Sequence, residues 1–61
     1  MKHEFNNCDI IVRIGSTKQC QIVAVEPRTK CYRCCWMNDV VYPAITFESV
    51  KWIDENYVKV D

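Results

Sequence analysis

The segment Cys31-Tyr32-Arg33-Cys34-Cys35-Trp36 holds three of the chain's five cysteines and is the part of the sequence best equipped for chemistry. C-x-x-C is a zinc-knuckle spacing, in which a tight turn points two thiolates at one metal. No Gly, Pro, Asn or Asp lies between Cys31 and Cys34 to make such a turn. The same residues alternate as a pleated strand does, with Tyr32, Cys34 and Trp36 on one face and Cys31, Arg33 and Cys35 on the other. That reading makes Cys34 a small buried hydrophobe and leaves Cys35 more accessible. A metal-stabilised Cys-rich domain is an alternative in which Cys8, Cys20, Cys35 or His3 would have to converge on Cys31 and Cys34. No metal ligand set and no cofactor are assigned.

Catalysis by a cysteine nucleophile needs a base beside the thiol, and His3 is the single histidine. It falls in a polar stretch, Met1 to Asn7, without a period, which predicts a mobile N-terminus and an exposed imidazole. Asp39, Glu48, Asp54 and Glu55 fall in or beside turns and form no acid/base pair. One glycine cannot build a phosphate-binding loop. No catalytic residues are assigned, and a non-enzymatic role is expected.

These residues need elements to position them. Cys8 to Ile14 alternates as a first strand, and Gly15-Ser16-Thr17-Lys18 breaks it at the chain's only glycine, which suits a turn that needs positive φ. Gln19 to Val25 is a second strand with Cys20, Ile22 and Ala24 on one face. Glu26-Pro27-Arg28-Thr29 then turns the chain back antiparallel into the cysteine strand, Cys31 to Met37. Val40 to Tyr42 and Ile45 to Phe47 are extended, and Glu48-Ser49 bends toward Val50-Lys51-Trp52-Ile53. Asp54-Glu55-Asn56 suits a 3₁₀ turn before a short last strand, Tyr57 to Val60. A helix over Thr46 to Ile53 competes locally, because Phe47, Val50 and Ile53 recur at three-residue spacing. The expected fold is all-β, five to six short, mainly antiparallel strands forming a small, partly open barrel over residues 8–61. Trp36 and Phe47 are its expected core aromatics.

Sixty-one residues make one small domain, which buries only about 60% of the surface its unfolded chain exposes. No apolar signal segment follows Met1-Lys2-His3-Glu4, so a cytoplasmic setting with reduced thiols is expected. No apolar run reaches membrane-spanning length, and no membrane association is expected. Eight basic and eight acidic side chains cancel, which argues against a polyanion-attracting field.

The order of strand, polar loop, strand ending in Glu26-Pro27, strand with Tyr32, Cys34 and Trp36, and closing Val58-Lys59-Val60 resembles SH3-like barrels. Within them it is most similar to the YodC-like family of small bacterial proteins, with Ile11-Val12-Arg13 as the opening strand and a span of about Asp9 to Val60. Gly15-Ser16-Thr17-Lys18 stands where that family has Gly-Gly-Pro, and residues around Val40 to Ala44 are extra. The resemblance implies a bacterial or phage protein with the SH3-like fold more than any activity. Plasmid-type dihydrofolate reductases are also SH3-like, but Val50-Lys51-Trp52-Ile53 lacks the glutamine and tyrosine of their pore motif.

Two Trp, three Tyr and two Phe exceed what so small a core can hide. In SH3-like barrels, aromatics near the loops and the 3₁₀ turn form a ligand groove, which gives Trp52, Tyr42 and Tyr57 a partner-binding role. The expected function is binding another protein, or self-association as a homo-oligomer, through exposed aromatics or a strand edge. The alternative is nucleic-acid binding by Arg13, Lys18, Arg28, Lys30 and Arg33.

Overall fold

Runs rich in β-branched, aromatic and cysteine residues, separated by turn formers, become strands. The computed structural model describes residues 2–37 and 44–60. It contains β1 (Ile10–Arg13), β2 (Gln19–Glu26), β3 (Cys31–Trp36), β4 (Ala44–Ser49), a helix α1 (Val50–Asn56) and β5 (Tyr57–Lys59). The strands form one antiparallel sheet in the order β4-β3-β2-β1-β5. The edge strands β4 and β5 are not paired with one another; α1 joins them, so the ladder does not close into a hydrogen-bonded barrel. The expected strand at Val40 to Tyr42 lies outside the described residues. No described helix is long and apolar enough to cross a membrane.

The turns follow their chemistry. Gly15 takes φ +79° in the β1–β2 connection, where the Ser16 amide donates to the Arg13 carbonyl at 3.0 Å. Pro27 to Lys30 turns the chain into β3, and Lys30 absorbs the left-handed step at φ 55°. Within β2 the partner of Ile22 is Cys34 and that of Ala24 is Arg33, so Val23 is an extra residue. A one-residue bulge exchanges the two faces of a strand. Val25 therefore packs against the core while Ala24 joins the outer face, which corrects the expected grouping of Ala24 with Cys20 and Ile22.

The segment from Val50 to Asn56 is an α-helix, not a strand followed by a 3₁₀ turn. Ser49 caps it by accepting from the Trp52 amide at 3.3 Å, which satisfies one of the first-turn amides that have no helical partner. Val50 and Ile53, three apart, point the same way into the core, followed by Tyr57. The core gathers Phe5, Ile11, Cys20, Ile22, Tyr32, Cys34, Val50, Ile53 and Tyr57, with Val25 and Trp36 against its rim. Phe47 is not among them. It is 59% exposed, because Thr46 pairs with Cys34 and Phe47 with Arg33, and this turns the odd positions of β4 away from the core.

Candidate functional site

Strand alternation separates the thiols. Cys20 and Cys34 are fully buried on neighbouring strands, Cys31 and Cys35 are half-buried on the outer face, and Cys8 is exposed; all five are free. Among the described residues no group of three or more His, Cys, Asp or Glu side chains is placed to hold a metal ion. A hydrogen bond with Cys20, then burial, pushes the Cys34 thiol far up, while the same contact lowers Cys20 against the opposing effect of burial. Cys34 is thus held as a thiol inside the core, where it packs as a small hydrophobe.

The strongest polar contact near the core belongs to Tyr32. Its hydroxyl donates to Asp54 Oδ1 on α1 at 2.6 Å and accepts from the Phe5 amide at 3.1 Å. The other Asp54 oxygen accepts from the Glu4 amide at 3.2 Å. Burial first, then the bond to Asp54, hold the Tyr32 phenol well above its ordinary range. Exposed His3 meets the Tyr32 ring edge-on at 6.3 Å and contacts the Phe5 carbonyl through Nδ1 at 2.8 Å. These contacts tie the N-terminal segment to β3 and α1.

The aromatic residues expected to bind a partner divide. Tyr57 is only 4% exposed, a core residue between Trp36 at 6.1 Å and Trp52 at 5.6 Å, which corrects its expected exposure. Burial raises its phenol too. Its position as the first residue after α1 turns it inward with Val50 and Ile53. Trp52 is 39% exposed on α1, with the Arg13 guanidinium 5.6 Å above its ring. Tyr42 lies outside the described residues. The five cations are dispersed: Arg13 and Lys18 flank the β1–β2 connection, Arg28 and Lys30 lie at the β2–β3 turn, and Arg33 lies within β3 opposite Ala24. The eight residues of β2 put about 25 Å between the two connections. Arg33 is already paired with Glu26 at 2.8 Å.

A surface that sequence pattern alone does not mark lies on the outer side of β3 and β4. Trp36 Nε1–H donates to Thr46 Oγ1 at 2.6 Å, and the Thr46 hydroxyl donates to Glu48 Oε2 at 2.8 Å. This chain holds the polar residues of β4 inward. Ile45 and Phe47, both 59% exposed, consequently face solvent side by side, opposite Cys35 and Arg33. The Arg33 guanidinium lies 5.4 Å from the Phe47 ring centre. A depression of about 420 Å³ opens among Glu26, Thr29, Cys31, Arg33 and Phe47. The sequence carries no signal for this choice: Thr46 and Glu48 alternate as cleanly as Ile45 and Phe47, and only pairing with β3 decides which pair faces in.

Fold and surface together define a small one-sheet antiparallel domain with an apolar outer face. Comparison with protein-family models, with curated proteins and with solved structures finds no match for this sequence.

Proposed function

We propose that this chain is a non-enzymatic protein-binding or self-associating module of a bacterium or phage, with an SH3-like arrangement of strands that stays open between β4 and β5, and that it works in the cytoplasm. The strand order, with a short helix between the last two strands, supports the SH3-like assignment. One observation carries the function: edge strand β4 turns Ile45 and Phe47 outward beside Cys35, with Met37 also exposed. A contiguous apolar patch with an aromatic centre and an adjacent arginine has the composition of a protein interface. Trp52, with Arg13 over its ring, offers a second exposed aromatic.

The Ile45→Ser/Phe47→Ser double variant tests this reading through melting temperature and binding of a hydrophobic dye. If the two residues form a surface, the melting temperature stays within about 5 °C of the parent and dye binding falls, since about 1 kcal/mol moves a domain of this size by roughly 4 to 8 °C. Core residues truncated in this way cost about 2 to 5 kcal/mol each. A fall in melting temperature beyond about 15 °C would place Ile45 and Phe47 in the core and end the reading.

A further inference from the structure

We infer that the outer face of β3 and β4 packs against the same face of a second copy of this chain, forming a two-fold, face-to-face dimer; the inference rests on the protein-binding reading above.

Three observations select this occupant. The first is area. Met37, Ile45 and Phe47, at 49%, 59% and 59% exposure, together leave on the order of 350 Å² of mostly apolar surface open, with Ile45 and Phe47 side by side on β4 and Met37 just after β3. Two copies cover roughly 700 Å² with these side chains alone, and the half-buried Cys31, Cys35 and Gln21 add on the order of 300 Å², which keeps the contact below the about 1,200 Å² of stable specific interfaces. That size fits a weak, reversible dimer. The second is charge. Among the described outward positions of β2 to β4, Arg33 and Glu26 are the charged residues, and they already neutralise each other at 2.8 Å. The whole chain carries no net charge, so two copies approach without repulsion, and an isologous contact strands no unpaired charge. A strongly charged partner would instead have to break this ion pair. The third is geometry. A strand added to the edge of β4 would pair its backbone but leave Ile45 and Phe47 in water, whereas face-to-face packing covers both.

Sedimentation equilibrium of the full chain, from about 10 µM to about 1 mM, tests the inference on the parent, Phe47→Asp and Val58→Asp. Val58, exposed on β5 at the far edge of the sheet, is the control. The parent should show a concentration-dependent dimer, weakened at least about tenfold by Phe47→Asp and changed less than about twofold by Val58→Asp. A parent that stays monomeric at every concentration overturns the inference, as does a dimer untouched by Phe47→Asp or broken by Val58→Asp. The two readings fail separately. A monomeric parent whose dye binding is lost in the Ile45→Ser/Phe47→Ser variant keeps the protein-binding face but gives it a different protein as partner. Loss of the cooperative melt in Phe47→Asp removes both.

Discussion

Replacing Tyr32 by Phe deletes one oxygen and leaves the ring volume in place, so any loss reports the hydroxyl. That oxygen donates to Asp54 at 2.6 Å and accepts from the Phe5 amide at 3.1 Å. A hydrogen bond to a charged group contributes about 1.5 to 3 kcal/mol, and a buried amide left without an acceptor costs about 1 to 3 kcal/mol. Asp54 is half-buried and can recruit water, which trims the sum to about 2 to 4 kcal/mol. For a domain of this size, total stability is roughly 3 to 9 kcal/mol, so the variant should melt about 15 to 30 °C lower. Asp54→Asn keeps an acceptor and should lose less. Alkaline unfolding supplies an independent readout. Tyr32 has a folded-state pKa raised above its unfolded value near 10, so its contribution is complete below about pH 10 and is lost as pH rises beyond it. Each such group steepens the loss by about 1.4 kcal/mol per pH unit, and Tyr57 acts in the same direction. Tyr32→Phe should therefore unfold with a shallower alkaline dependence, followed by phenolate absorbance. A melting temperature within about 3 °C of the parent, with an unchanged alkaline slope, would refute this account of the hydroxyl.

Two further outcomes follow from the fold. Alkylation of native protein followed by mass spectrometry should label Cys8 first and Cys31 and Cys35 more slowly. Cys20 and Cys34 should stay unlabelled until the chain unfolds, and early labelling of Cys34 would contradict its buried place. Ser49→Ala removes the cap of α1 and should cost about 1 kcal/mol, a fall of roughly 4 to 8 °C in thermal melts, with no change expected from Ser16→Ala in the β1–β2 connection beyond about 0.5 kcal/mol.

Much of the scaffold is legible because its signals are local. The alternation of Tyr32, Cys34 and Trp36, the positive φ at Gly15 and the antiparallel return after Pro27 each need only a few neighbouring residues. What is not legible depends on pairing. Nothing in Ile22-Val23-Ala24 announces a bulge, yet it decides which of Ala24 and Val25 is inside. Val50 and Ile53 suit a strand by residue type, and only the Ser49 cap with the next turn shows a helix. Tyr57 looks like a turn-flanking surface residue until α1 rotates it inward. The candidate surface is hidden for the same reason: Ile45 and Phe47 look like an inward face until the Trp36, Thr46 and Glu48 hydrogen bonds fix β4 the other way.

The most direct measurement on the proposed interface is methyl and aromatic NMR of the chain with a soluble paramagnetic agent, first dilute and then concentrated or with a partner. In dilute solution the Ile45 methyl and Phe47 ring signals should broaden strongly while those of Ile11, Ile22 and Ile53 stay sharp, since the latter three are fully buried. On association, Ile45 and Phe47 should become protected and the three core isoleucines should not change. An Ile45 methyl as shielded in dilute solution as that of Ile11, or one that stays fully accessible when the chain associates, would contradict an interface on this face.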